Sequence, residues 1–181
     1  MRSERSRRSL SARIIDPGQG RPNRWTMNEL SDIISGDRVE AGLTVTNKKG
    51  LFQQLAMAAT RRTGLPTKLI VSMLTEREKL GSTGFGGGVA IPHAKLEGLH
   101  QVFGYFARLT SPIDFHSVDD LPVDLVFLIL SPVDAGADHL KALASVSRVL
   151  RDRNTVAKLR GARSRDALFA LLAGAESLNA A

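Results

Sequence analysis

One stretch narrows the choice of fold more than any other. Residues 123–130 read Val-Asp-Leu-Val-Phe-Leu-Ile-Leu, a near-continuous apolar run of strand length. A strand with one wet face alternates apolar and polar residues. A run without alternation is expected where both faces of the sheet are covered. The chain supplies helices to cover them. Residues 47–63 carry apolar side chains at 51, 52, 55, 56, 58 and 59, with Thr46 placed as a cap and Gly64-Leu65-Pro66 as a stop. Residues 68–79 carry the stripe Leu69, Ile70, Met73 and Leu74, with Thr67 before it and Gly81 after. Residues 138–150 read as a helix with Leu140, Leu143, Ala144, Val146, Val149 and Leu150 inward, and 154–159 and 164–172 as two shorter ones. A short helical stripe spans 27–35. Strands are expected at 39–45, 89–91 and 102–109, followed by a turn at Ser111-Pro112. There is no internal repeat. Interleaved helices and strands define an α/β class: a single mixed β-sheet flanked by helices on its faces.

The net charge of +7 suggests a polyanion partner until it is located. Seven arginines against Glu4 and Asp16 give residues 1–26 a charge of +5, which leaves +2 for the rest. The basic excess therefore lies in an Arg/Ser-rich segment that ends in Pro/Gly-rich sequence, and the aromatic content is only 5%. Neither a basic groove nor stacking aromatics mark the remainder, so no nucleic-acid partner is expected. Residues 1–26 read as a basic, disordered extension or an over-extended gene start, with one domain over 27–181. The segment lacks the apolar stretch that a secretory signal requires. No run approaches the roughly 18 apolar residues of a membrane span, so direct membrane insertion is not expected. Cysteine is absent, which removes disulfides, thiolate metal sites and a Cys nucleophile. The four histidines lack ligand spacing, so neither a metal nor another cofactor is expected.

Residues 81–93 carry the chemistry. Gly84, Gly86, Gly87 and Gly88 put four glycines into five positions. Such a cluster suits backbone that turns sharply or approaches something closely. It is not a Walker A loop, which ends in Gly-Lys-Ser/Thr. Nor is it the GxGxxG dinucleotide pattern, which would need glycine where Val89 stands. The loop leads into Ile91-Pro92-His93. Pro92 fixes its own φ and biases Ile91 toward extended backbone, so His93 is presented from a constrained segment beside amides able to hold an anion. A neutral imidazole keeps one ring nitrogen free to attack. A histidine merely satisfied beside a tight turn is the competing reading. His100 and His116 read as surface residues.

The run from Leu80 to Leu96, Leu-Gly-Ser-Thr-Gly-Phe-Gly-Gly-Gly-Val-Ala-Ile-Pro-His-Ala-Lys-Leu, resembles the signature of EIIA proteins of the fructose/mannitol type of the bacterial phosphotransferase system. It is most similar to the nitrogen-regulatory branch, EIIA-Ntr. The resemblance covers roughly residues 27–174 and implies a mixed sheet flanked by helices. It implies that His93 accepts a phosphoryl group, as tele-phosphohistidine, from an HPr- or NPr-type phosphocarrier. It also implies that Arg77, in Glu-Arg-Glu-Lys-Leu-Gly-Ser, and His139, in Asp-His-Leu, act on that group. An arginine supplies fixed positive charge to the oxygens of a phosphoryl group in flight, and a histidine near a helix N-terminus can donate a hydrogen bond to them. By spacing alone, Arg77 would be a solvated helix-end cation and His139 an ordinary first-turn residue. Both are expected to sit off the apolar stripes. Gly87 departs from the branch, which often carries a small polar residue such as Asn there. The resemblance further implies a cytoplasmic phosphotransferase component with a regulatory output, linked to nitrogen and potassium control, with potassium-transport or sensor-kinase proteins as targets. A sugar-transport EIIA that passes phosphate to a separate EIIB is the alternative, and a non-catalytic binding module a second.

Overall fold

A computed structural model describes residues 30–174. The elements run β1 (Val39–Leu43), α1 (Lys48–Thr63), α2 (Thr67–Lys79), β2 (Gly84–Gly86), β3 (Val89–Ala90), β4 (His93–Leu96), β5 (Phe103–Ile113), β6 (Val123–Pro132), α3 (Gly136–Arg151), α4 (Arg153–Gly161) and α5 (Arg165–Gly174). Two 3₁₀ turns, Leu30–Asp32 and Gly36–Arg38, precede β1. The six strands form one mixed sheet in the order β1-β5-β6-β3-β2, with β4 also paired to β6. β1 is parallel to β5, β5 antiparallel to β6, and both β3 and β4 are parallel to β6.

The apolar run of β6 accounts for this architecture. Leu125, Phe127 and Ile129 pack with Val146, Leu150, Leu159 and Leu168 on the face covered by α3, α4 and α5. Val126, Leu128 and Leu130 pack with Leu51, Leu55, Ile70 and Leu74 on the face covered by α1 and α2. Both faces are dry, so alternation vanishes from the strand.

The strand beside β6 is broken into two pieces. β3 lies along the first half of β6, with Val89 opposite Leu125, and β4 along the second, with His93 opposite Ile129. Ile91 and Pro92 form the break. The Ile91 amide faces the β2 side and donates to the Thr83 carbonyl at 2.9 Å, while Pro92 offers β6 no N–H and only its carbonyl accepts, from Ile129 N at 3.0 Å. His93 is therefore the first residue of a strand that restarts after a proline.

Local sequence explains most boundaries, with several differences from expectation. Asn47, not Thr46, caps α1, its side chain accepting from Gly50 N at 2.8 Å, and Gly64 closes the helix at φ 73°. Thr67 is the first residue of α2 rather than its cap, and its hydroxyl bonds Thr60 of α1 at 2.9 Å. Ser111-Pro112 is not a turn. β5 continues to Ile113 through a register shift between Arg108 and Ile113, an irregularity that tolerates a residue without an N–H. β2 and β4 were not expected; they are too short, and β2 too glycine-rich, to show a period. α3 is rotated from the expected phase: Leu140 and Ala144 are exposed, while His139, Ala142, Val146, Val149 and Leu150 are buried. His139 thus belongs to the buried stripe, contrary to its expected place off it. Residues 1–26 and the first three of the 27–35 stripe lie outside the described residues. Leu30, Ile33 and Ile34 of that stripe are buried but hang on 3₁₀ turns and loop rather than an α-helix. His100 and His116 are exposed. No helix of the described residues is long and apolar enough to cross a membrane.

Candidate active site

Three elements far apart in the chain converge on His93: the C-terminal turn of α2, the start of β4 and the first turn of α3. They bring His93, Arg77 and His139 together. The three residues share a groove of about 470 Å³ with Met73, Glu76, Leu80, Ala94 and Lys95.

The His93 ring is held at both nitrogens. Nδ1 lies 2.8 Å from the Ile91 carbonyl, which can only accept, so Nδ1 carries the proton. Nε2 then has the lone pair and accepts from Arg77 Nε at 2.9 Å. Burial holds the His93 pKa below the ordinary 6.5, opposed by the Ile91 carbonyl and reinforced by the positive charge of Arg77. The ring is neutral at neutral pH, with its nucleophilic edge toward a guanidinium. Arg77 is itself steadied by a bond from Nη1 to the Gly81 carbonyl at 3.1 Å.

His139 faces the same space, its ring centroid 5.6 Å from that of His93. It is only 7% exposed, and Nδ1 lies 2.8 Å from the hydroxyl of Ser131. Its pKa is lowered to about 4, mainly by burial, then by competition for a proton with the neighbouring His93 ring and by the positive charges of Lys95 and Arg77. A neutral ring in the first turn of a helix is an appropriate partner for an incoming anion, because the helix N-terminus adds partial positive charge without a titrating cation.

The glycine cluster does not line this groove. It forms the hairpin β2–β3, with Gly87 and Gly88 at φ 65° and 80° making the turn. The Gly87 amide donates to Asp119 Oδ2 at 2.8 Å, so it is not open to an anion as expected from the sequence. Arg160 of α4 clamps the turn by bonding Asp124 through both oxygens and the Gly87 carbonyl at 2.7 Å. The loop shapes the entry to Ile91-Pro92 and is held in place from outside the groove.

Two residues escaped the sequence reading. Glu78, next to Arg77, accepts from Lys48 Nζ at 2.7 Å, Ser82 Oγ at 3.2 Å, Thr83 N at 3.1 Å and Thr83 Oγ1 at 2.6 Å. Because the Thr83 carbonyl receives Ile91 N and the Ile91 carbonyl receives His93 Nδ1, this carboxylate anchors the chain of bonds that sets the His93 ring. The one available signal was an acid four and five residues before two hydroxyl side chains. Ser131 ends an apolar run and gave no signal.

Residues 32–175 match the sequence model of the family described as "Phosphoenolpyruvate-dependent sugar phosphotransferase system, EIIA 2". The chain belongs to this EIIA family. Its members are components of a phosphotransferase system. The EIIA chain is 49% identical over 144 residues to the nitrogen regulatory protein of Bradyrhizobium diazoefficiens, covering 80% of this chain and 94% of that one. It is 34% identical over 155 residues to the nitrogen regulatory protein of Escherichia coli K12, covering 85% and 95%. The crystal structure of nitrogen regulatory protein IIA-Ntr from Neisseria meningitidis superposes with a TM-score of 0.75 at 33% identity, over 78% of this chain and 97% of that one. IIA mannitol from Escherichia coli shares the fold, with a TM-score of 0.65 at 21% identity, over 77% of this chain and 99% of that one.

Proposed function

We propose that this EIIA protein is a cytoplasmic phosphohistidine relay whose output is regulatory. His93 takes a phosphoryl group on Nε2 from an HPr- or NPr-type carrier, and the phosphorylation state governs binding to protein targets such as potassium-transport or sensor-kinase proteins. The observation that carries this reading is the ring geometry. The His93 proton is pinned on Nδ1 by the Ile91 carbonyl, so the lone pair sits on Nε2 beside Arg77 in an open groove. The names of the relatives favour regulation over sugar transport.

The transfer follows from those contacts. The Nε2 lone pair forms the new N–P bond as the N–P bond to the carrier's histidine breaks. The electron pair of that bond returns to the carrier ring, which leaves as neutral imidazole when its other nitrogen is protonated. The accepting ring keeps its proton on Nδ1, where the Ile91 carbonyl stabilises the positive charge the ring gains. Arg77 leaves Nε2 as the phosphorus arrives and turns its donors to the equatorial oxygens, where charge stabilisation does most of the catalytic work. His139 donates from the other side.

Incubation with phosphoenolpyruvate, enzyme I and a carrier, followed by mass-spectrometric mapping, tests the reading. The label should sit on His93, be lost in acid and survive alkali, as an N–P bond does. A labelled His93→Ala chain overturns it. Adding a separate EIIB tests the transport alternative, since transport requires the label to move on.

A further inference from the structure

Ser131 sits in β6 opposite Lys95 of β4, and it is fully buried. The six residues before it, 125–130, are all apolar. A buried hydroxyl in such a strand is costly unless it is hydrogen-bonded. Among the described residues, its one side-chain hydrogen bond is to His139 Nδ1, at 2.8 Å.

Counting protons decides the direction of that bond. The hydroxyl has one proton to donate, and a neutral imidazole has one as well. If Nδ1–H donated to Oγ, the serine proton would be left without an acceptor at a site closed to water. If the hydroxyl donates to Nδ1, both buried atoms are satisfied and the ring proton moves to Nε2. We infer that Ser131 is a positioning residue that fixes His139 as the Nε2–H tautomer, so that the ring offers the groove a donor and not a lone pair. The inference rests on the phosphorelay reading for its consequence. A donor at Nε2 stabilises phosphoryl oxygens, whereas a lone pair there would repel them. The two histidines of the groove are thereby set in opposite tautomers by their outer contacts. The Ile91 carbonyl puts the His93 proton on Nδ1 and frees Nε2 to attack. The Ser131 hydroxyl puts the His139 proton on Nε2 and frees it to donate.

The test has a spectroscopic and a kinetic arm. In ¹⁵N-labelled wild-type chain, His139 Nδ1 should resonate as an unprotonated nitrogen and Nε2 as a protonated one; the reverse assignment overturns the inference. In transfer from the phosphorylated carrier, Ser131→Ala should slow kcat roughly tenfold, about the loss of one neutral hydrogen bond, with KM for the carrier unchanged. Ser131→Thr, which keeps the hydroxyl, should recover most of the rate. In a His139→Ala background, Ser131→Ala should cost nothing further, because the serine acts only through that ring. A full tenfold loss in that background overturns the positioning role. If Ser131→Ala does not fold, the wild-type spectrum and the Thr variant decide the matter. If wild-type His93 takes no label, the phosphorelay reading falls while the tautomer assignment is still judged by the spectrum.

Discussion

Acidification should destabilise this protein through His139, and the size of the effect can be worked out. The ring's ordinary pKa of 6.5 is lowered to about 4 in the folded chain. Below pH 6.5 the unfolded chain binds a proton at this position and the folded chain does not, until the pH approaches 4. The stability that the neutral ring contributes is therefore fully present above pH 6.5 and is lost as the pH falls from 6.5 toward 4. The whole shift corresponds to about 3 kcal/mol, and the interval from pH 7 to pH 5 carries roughly 2 kcal/mol of it. For a domain of this size that is a fall in Tm of roughly 4–8 °C.

Other groups titrate in the same range, His93 among them, so the assay needs a reference that lacks only this ring. His139→Gln keeps an amide for Ser131 to meet and removes the titration. Urea unfolding of both chains at pH 7 and pH 5 gives four free energies. The advantage of the wild type over the variant should shrink by about 2 kcal/mol on going to pH 5. NMR titration of the His139 ring gives the pKa directly. A constant difference between the two chains, or a measured pKa near 6.5, would refute the argument that burial and the surrounding basic groups keep this ring neutral. Phosphorylation of His93 should move the His139 pKa upward, because a dianion then faces it.

Other expectations follow from the same contacts. Arg77→Lys should slow phosphoryl transfer from the carrier by about 10²–10³-fold, since an ammonium cannot reproduce the fork that matches phosphate oxygens. Its melting temperature should stay near that of the wild type, because among the described residues Arg77 bonds only His93 and the Gly81 carbonyl. Glu78→Gln should cost about 2–3 kcal/mol in chemical unfolding, since it strands Lys48 and turns an amide N–H toward donors. Its His93 should titrate lower still, as the Glu78 charge raises that pKa. Gly88→Ala should cost about 1–3 kcal/mol, because φ is 80° and a Cβ would press on Asp124 and Arg160. Gly87→Asn, at φ 65° with nothing within 4 Å of a Cβ, should change stability by less than about 1 kcal/mol in the same measurement.

Where the sequence could be read, a physical signal existed at the scale of one element. The missing alternation at 123–130 announced a strand covered twice, and the stripes and glycine stops bounded α1 and α2. The signal failed where tertiary pairing decides. β4 has four residues and exists because His93–Leu96 can continue along β6 after Pro92. The phase of α3 could not be read from apolar residues alone, because the residue buried at its first turn is a histidine. Hydropathy puts Leu140 inward, whereas the structure buries His139 and leaves Leu140 exposed. Periodicity and spacing alone could not join the partners of the site; the family resemblance named Arg77 and His139, and nothing named Ser131. Arg77 and His139 lie 16 and 46 positions from His93, and Ser131 meets His139 because side chains alternate along β6 and Ser131 falls on the face that α3 covers. A one-residue shift of β6 would turn Ser131 to the opposite face.

On the proposed phosphorelay reading, the resting site holds the nucleophile in check by the same group that the transfer would use. Arg77 Nε donates to His93 Nε2, so the lone pair that must attack is occupied before a donor arrives. That contact disfavours a proton on Nε2, because a guanidinium and an imidazolium N–H cannot share one position. It also keeps the ring neutral as the pH falls, in the direction that burial already drives it. The approaching phosphoryl group offers the guanidinium anionic oxygens and a bidentate pairing in exchange for a single bond to one neutral nitrogen. The exchange therefore runs toward the oxygens only when a phosphoryl group is present. In its absence the ring remains covered, unprotonated and aligned by the Ile91 carbonyl. Replacing Arg77 with alanine should consequently raise the His93 pKa, and it should still lower the transfer rate at a pH where the ring is unprotonated in both chains, a loss that a group acting only by keeping the ring unprotonated would not produce.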